Sequence, residues 1–345
     1  MDDSAFMRGA ISRILSNDAR FELVGEARDG REAVERAASL RPDVVTMDFH
    51  MPGLDGAQAT RAILERQPTA IVMVSAHTTE GARETVEALA AGAVDFVTKP
   101  DGEVSPNLSE IREPLIQKLL DAAGANLEPM RPAAAPDSRS DSEPRSRRAG
   151  AAPLRAMPPG LRVVAIASST GGPAALTRML PALRLERQAA VLIVQHMPAG
   201  YTRALAEQLS EQAEFPVREA KHGDVIEAGV ALVAPGDQHL VVARAGRVAL
   251  DQSPAVHGVR PAADVTFKSL AVAFGARSVG VVLTGMGRDG ALGLSAIKAA
   301  GGRTVAQDRG SSTVYGMPRA AVEMGVVDEV VSLDRLGRVV SKLIS

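Results

Sequence analysis

The stretch VVAIASSTGG, residues 163–172, decides how this chain is read. An apolar run of strand length breaks abruptly into Ser, Thr and paired Gly, the signature of a strand passing through a loop into a helix. Two later stretches repeat it: VLIVQHM at 191–197 and VGVVLTGMGRDG at 279–290. In an open α/β sheet, loops beyond the carboxyl ends of parallel strands converge on one crevice. Ser169, His196 and Asp289 each stand at such a break. They can therefore meet as nucleophile, base and orienting acid.

Outward from these stretches the alternation continues. Strands are expected near 163–168, 190–195, 230–234, 278–283, 303–306 and 327–331, with helices near 173–184, 199–213, 262–274, 290–300 and 333–344. Residues 239–244 and 247–251, joined through Ala245-Gly246, read as an antiparallel hairpin attached to a mostly parallel sheet. The first third follows the same logic, with helices at 4–15, 31–40, 79–91 and 109–123 and strands at 43–47, 70–75 and 94–98. Alternating βα units imply an α/β fold, a parallel sheet covered by helices on both faces.

Between 125 and 159 the periodicity stops, and seven of the 21 prolines gather among Arg, Ser and Asp. Such a segment buries too little apolar surface to offset its ordering entropy, and it reads as a flexible tether. The expected organisation is a first domain at 1–124, a linker at 125–159 and a second domain at 160–345.

Composition narrows the function. A net charge of −2 with 23% charged residues argues against a polyanion-binding protein. The chain has no cysteine, which excludes disulfides, thiolate zinc sites and a cysteine nucleophile, and fits a reducing compartment. No signal-like n-region opens the sequence, and no apolar run approaches the roughly 18 residues that span a bilayer. A cytoplasmic protein without membrane insertion is expected.

In the first domain, Asp2 and Asp3 precede the first helix, Asp48 ends the strand DVVTM, Ser75 ends the next, and Lys99-Pro100 follows the third. Carboxylates crowded at strand ends repel unless they share a cation, and hard oxygen ligands suit Mg²⁺. With Met51-Pro52-Gly53, Asp55-Gly56 and Ser75-Ala76, this array resembles the receiver domain of bacterial response regulators, a flavodoxin-like, doubly wound parallel sheet. The resemblance implies that Asp48 accepts a phosphoryl group from a chemotaxis histidine kinase. It implies Mg²⁺ on Asp3, Asp48 and the His50 carbonyl with Asp2 nearby, Ser75 as the switch hydroxyl, and Lys99 on the phosphate. One departure stands out: the family has an apolar strand before the acidic pair, where only Met1 stands here. The first strand is thus expected to be missing, and the natural chain to begin upstream. Mass spectrometry of the native N-terminus tests this, a mature chain starting at Met1 being the contrary result.

In the second domain, His196 is the one histidine of six that follows a strongly apolar strand there. His239 starts a hairpin strand, and His222 and His257 lie in Gly-flanked loops, where structural or solvated roles are expected. His50 and His77 belong to the first domain's crevice. Ser169 rather than Ser168 is the residue at the break before the glycines, which let N–H groups approach a developing oxyanion. Gly285-Met286-Gly287-Arg288-Asp289-Gly290 also satisfies G-x-G-x-x-G, with Asp308 downstream. Asp289 would place negative charge inside a pyrophosphate loop, and the unit falls late in the domain. Those glycines read better as bringing Asp289 to His196 and aiming the Met286 N–H.

These stretches, with Gln195-His196-Met197-Pro198, Ala234-Pro235-Gly236-Asp237, Arg260-Pro261-Ala262-Ala263-Asp264-Val265 and Gly316-Met317-Pro318, closely resemble the catalytic domain of the chemotaxis protein-glutamate methylesterase family, CheB. The resemblance covers about 161–345. It implies a monomeric hydrolase acting on methyl-accepting chemoreceptors as substrate: γ-glutamyl methyl esters demethylated, particular glutamines deamidated. Ser169, His196 and Asp289 would form the triad, Thr170 and Met286 would supply oxyanion N–H groups, and the catalytic domain would need no cofactor. The competing class is a receiver-coupled DNA-binding or scaffold protein. Such output domains are usually small, helical and basic, and no recognition helix is evident here, so no nucleic-acid partner is expected.

Overall fold

Two parallel sheets organise the computed structural model, which describes residues 1–76, 78–99, 108–128, 160–185 and 188–345. Most of the expected linker, together with His77 and Pro100, lies outside the described residues.

The first sheet has three strands, β1 (Val44–Asp48), β2 (Ala70–Ser75) and β3 (Asp95–Thr98), in that order. Helices α1 (Ala5–Ser16) and α5 (Leu108–Ala123) pack on one face through Ile11, Ile14, Leu115 and Leu119. Helices α2 (Gly30–Leu40), α3 (Gly56–Arg66) and α4 (Thr79–Ala90) contribute Val34, Ile63, Val86 and Leu89 to the other. The starts are set locally: Ser4, Asp29, Asp55 and Thr78 each accept a hydrogen bond from a first-turn N–H.

The β1 edge of this sheet is open. Residues 21–27 run without regular structure, and a groove of about 440 Å³ separates them from the β1 edge, lined by Leu15, Phe21, Leu23, Val44 and Leu119. Among the described residues, Met1 and Asp2 bridge it by hydrogen bonds. The Met1 amine donates to Thr46 O (2.9 Å), Met1 O accepts from Asp48 N (2.9 Å), and Asp2 N donates to Ala27 O (3.2 Å). Without a neighbour to pair with, 21–27 forms no ladder.

The second sheet has seven parallel strands: β4 (Arg162–Ser168), β5 (Ala189–Gln195), β6 (Val217–Glu219), β7 (Ala231–Val233), β10 (Ser278–Val282), β11 (Arg303–Gln307) and β12 (Glu329–Val331). Their order is β12-β11-β10-β4-β5-β7-β6. The chain moves from β4 to one side through β5 and returns to the other side with β10. The carboxyl ends of β4, β5 and β10 therefore flank a topological switch point, where such sheets bind ligands. Both faces are covered, which is why these strands read as near-continuous apolar runs. Helices α6 (Gly172–Met179), α7 (Tyr201–Gln212) and α11 (Leu333–Ile344) pack on one face. The other carries α8 (Ala263–Phe274), α9 (Ala291–Ala299) and α10 (Met317–Glu323).

The hairpin, β8 (His239–Ala243) and β9 (Arg247–Asp251), forms a separate two-stranded sheet and does not extend the large one. It is held to α8 by Thr266 Oγ1 donating to Leu240 O (2.7 Å) and Val242 N donating to Ser269 Oγ (2.9 Å). β6 and α10, only three and seven residues long, carry too little periodicity to be read from sequence. No helix among the described residues is long and apolar enough to cross a membrane.

Candidate active site

Ser169, His196 and Asp289 line one cleft of about 560 Å³ at the ends of β4, β5 and β10. Ser168, by contrast, is fully buried and donates to Gln195 Oε1 (2.6 Å). The strand's alternation thus points Ser168 inward and leaves Ser169 at the cleft. Gln195 Nε2 donates to Ser169 O (2.9 Å) and His196 O (3.3 Å), so one buried amide ties the serine loop to the histidine loop. Sequence reasoning missed that role. Its only signal was a polar residue ending an apolar strand.

His196 Nε2 lies 2.8 Å from Asp289 Oδ2, a pair almost wholly withdrawn from solvent. With Nε2 engaged, Nδ1 is the ring nitrogen left for the serine. Among the described residues no hydrogen bond joins Ser169 Oγ to His196, the looser geometry common in sites without substrate. Gly285 has to lack a side chain here: a Cβ on it would lie 2.8 Å from Ser169 Cβ. Close approach of two loops thereby explains the first glycine of the G-x-G pattern, while Gly287 has a positive φ of 84° and open space around it.

Asp289 is held from several directions. Oδ2 also accepts from Ala263 N (2.6 Å), and Oδ1 accepts from Asp264 N (2.9 Å) and Gly290 N (2.9 Å). Helix α8 has no side-chain cap of its own, so this distant carboxylate occupies its N-terminus, where the helix dipole favours an anion. Burial alone would raise the Asp289 carboxyl. His196 and the Asp264 and Ala263 N–H groups outweigh it and hold the pKa below the ordinary 3.8.

Thr170 and Met286 also line the cleft, and among the described residues neither N–H donates to an acceptor. Both remain available to an incoming oxyanion. Thr284 braces the Thr170 loop, its hydroxyl donating to Thr170 O (2.9 Å). His257 departs from expectation: it lines the cleft and pairs through Nε2 with buried Asp264 Oδ2 (2.9 Å). His239 is structural, fully buried and accepting from Ala262 N (3.1 Å).

The cleft has a second wall from the first domain. Asp95, Pro114, Gln117, Lys118 and Asp121 face the Ser169 side. Thr170 Oγ1 donates to Asp95 Oδ2 (2.6 Å), and Gly171 N donates to Val94 O (3.0 Å). Asp95 Oδ1 is held in turn by Lys118 Nζ (2.7 Å). Gln117 Nε2 approaches Met286 Sδ at 4.0 Å.

In the first domain, Asp48, Ser75 and Lys99 come together at the ends of neighbouring strands. Lys99 Nζ lies 2.9 Å from Asp48 Oδ1 and 3.0 Å from Asp2 Oδ2. Two buried carboxylates share this one cation. Burial, reinforced by Asp2, pushes the Asp48 carboxyl up against the pull of Lys99. Burial would lower Lys99, but Asp48 and Asp2 together hold it above its ordinary value. Carboxylate oxygens of Asp2, Asp3 and Asp48 lie within 4.8 Å of one another, three acids facing the one Lys99 ammonium. An all-oxygen donor set with excess negative charge fits a hard divalent cation. His50 turns its ring to Glu84 (3.0 Å).

Fold and site together define an α/β domain that gathers a serine, a histidine and an aspartate in one cleft, joined to a smaller α/β domain with an acidic pocket. The chain belongs to the CheB methylesterase family, whose model matches residues 164–340, while the response regulator receiver domain model matches 1–105. The protein-glutamate methylesterase/protein-glutamine glutaminase of Symbiobacterium thermophilum is 46% identical over 350 residues, covering 100% of this chain and 96% of that protein. The one of Geobacillus kaustophilus is 44% identical, covering 100% and 97%. The crystal structure of the Thermotoga maritima CheB methylesterase catalytic domain is 38% identical with a TM-score of 0.51, covering 53% of this chain and 97% of that one.

Proposed function

We propose that the chain is a phosphorylation-regulated hydrolase that demethylates γ-glutamyl methyl esters, and deamidates glutamines, on the cytoplasmic helices of methyl-accepting chemoreceptors. The observation that carries this is the shared cleft of Ser169 with a His196–Asp289 pair, in a chain similar along its whole length to proteins named for that activity.

Ser169 Oγ attacks the side-chain carbonyl carbon while its proton passes to His196 Nδ1. The oxyanion forms against the N–H groups of Thr170 and Met286. Collapse of this intermediate breaks the bond from the former carbonyl carbon to the methoxy oxygen, or to the amide nitrogen in glutamine. His196 returns the proton to the departing methanol or ammonia, leaving a glutamyl ester on Ser169. Water, deprotonated by His196, then hydrolyses that ester, giving glutamate and restoring the serine. Asp289 holds the tautomer with Nε2–H and stabilises the imidazolium.

Regulation follows from the second wall. Asp48 is the site that takes a phosphoryl group from a histidine kinase; Asp3, Asp48 and the His50 carbonyl, with Asp2 beside them, would hold Mg²⁺. The ion supplies positive charge to the phosphoryl oxygens; Lys99 pairs with them, and Ser75 donates its hydroxyl. Until then the receiver occupies the cleft and engages Thr170, a residue of the oxyanion pair.

Methanol release from methylated receptor, measured on the full chain with and without a small phosphodonor, tests the scheme. The donor is expected to raise the rate. Asp95→Ala, which removes a charge-assisted hydrogen bond to Thr170, is expected to raise the rate without donor by about tenfold or more. A wild-type rate indifferent to donor, with Asp95→Ala unchanged, overturns the regulatory part and leaves the esterase chemistry standing.

A further inference from the structure

We propose that His257 sets the specificity of the cleft by accepting a hydrogen bond from the side-chain amide of glutamine, while Val259 on the same turn receives the methyl group of the ester. This rests on the hydrolase function proposed for the cleft and names what each of its two substrates meets there.

Residues 256–259 form a tight turn. Val256 and Val259 exchange backbone hydrogen bonds, both 3.1 Å, and His257 and Gly258 stand at the tip. Both tip residues have positive φ, 57° and 78°, as a two-residue hairpin turn requires. A histidine is uncommon in that conformation, and its side chain supplies the reason. The fully buried carboxylate of Asp264 holds His257 Nε2 through Oδ2 (2.9 Å), and Oδ1 is fixed in turn by Gly293 N (2.7 Å). The ring is thereby pinned at the cleft by a group beneath it.

This pairing decides what the ring offers. With Nε2–H donated to Asp264, Nδ1 carries the lone pair, and it makes no hydrogen bond among the described residues. The other polar side chains on the catalytic wall are committed or can only donate. Asp289 accepts from His196 and three backbone N–H groups, and Thr170 donates to Asp95. Arg260 donates to Asp237, Gln252 O and Ser253 O, and Arg288 has no acceptor atom. Beyond His196 itself, His257 Nδ1 is the side-chain nitrogen of this wall left with an open lone pair.

Its place suits a leaving group. A ring nitrogen of His257 and oxygens of Asp264 and Asp289 lie within 4.8 Å of one another, and Asp289 is 2.8 Å from His196. Asp289 therefore stands beside both imidazoles. The oxyanion forms against Thr170 and Met286, so the leaving group turns to His196, which protonates it, and comes beside the turn carrying His257. A glutamine amide brings two N–H groups to this place, and leaving them unpaired disfavours the amide. A methyl ester has no such donor. Its methyl needs apolar contact, which Val259 and Pro198 of the lining supply.

His257→Gly removes the ring and leaves a residue at ease with the positive φ, so the turn is kept. In the full chain with phosphodonor, the kcat/KM for ammonia release from receptor glutamines is measured beside that for methanol release from methylated receptor. The ratio of the first to the second is expected to fall about tenfold to hundredfold in His257→Gly. A merely structural lesion would lower both and leave the ratio where it was. Val259→Ser should move the ratio the other way, by about threefold to tenfold. A ratio unmoved in His257→Gly overturns the role of His257, and one unmoved in Val259→Ser overturns the methyl contact. A wild type that releases methanol but no ammonia removes the amide substrate and this role with it, leaving the esterase in place. A wild type that releases neither overturns the function proposed for the cleft.

Discussion

Ser169→Ala is expected to lower methanol release from methylated receptor by a factor on the order of 10⁴–10⁶, leaving phosphorylation of Asp48 intact. The size follows from the geometry: the nearest other hydroxyl in the cleft, Thr170 Oγ1, is committed to Asp95. Water would have to attack the ester unaided, with only the oxyanion N–H groups still helping. Folding should be little affected, because Ser169 is only half-buried and its hydroxyl makes no hydrogen bond among the described residues. Asp48 lies in the other sheet and should label with phosphodonor at the wild-type rate. Turnover kept within tenfold of wild type would remove the serine from the chemistry.

Asp289→Asn should damage both catalysis and stability. Each carboxylate oxygen accepts a backbone N–H, Oδ2 from Ala263 and Oδ1 from Asp264 and Gly290. Either orientation of an amide therefore sets an NH₂ donor against an N–H donor. Leaving such buried groups unsatisfied costs about 1–3 kcal/mol, enough to move the melting temperature by several degrees. His196 would also lose the partner that selects its tautomer, for which a loss of about 10⁴ in kcat is expected. The pH dependence supplies an independent check. Asp289 has a depressed pKa in the folded protein, so its stabilisation is fully present above the ordinary 3.8 and disappears as pH falls through the lowered value. The stability gap between wild type and variant should accordingly be constant from neutral pH down to about 5 and shrink as the pH falls below about 4. A gap that persists unchanged in acid, or a variant with near-normal kcat, would count against this account.

Much of this was legible in sequence because the signals are local. Apolar runs such as 163–168 and 191–194 report strands buried on both faces, and the polar residues that end them report the rim of the sheet. The resemblance to two families, carried by spacing around Asp48, Lys99, Ser169 and His196, agrees with the family models over 1–105 and 164–340. Less legible were elements with little local pattern. α10 begins at Met317-Pro318 in a segment with no helical stripe, and the isolated hairpin looked like part of the main sheet because pairing partners are not written in a strand's own alternation. His257 was read as a loop residue, since nothing near it announces that Asp264, seven residues later, would draw its ring to the cleft.

By itself, the amino-acid order determined which chemical groups stand at strand ends: a hydroxyl, an imidazole and a carboxylate after one tether-like segment, and acids, a hydroxyl and a lysine before it. Those placements follow from periodicity over a few residues. Only the tertiary structure decided that Nε2 of His196 faces Asp289, that Asp289 caps a helix begun 26 residues earlier, and that Asp95 and Phe96 lie against Thr170 and Tyr201. Such contacts depend on how two separately patterned sheets dock. Docking is governed by the shape and charge of whole surfaces, which no short window of sequence contains.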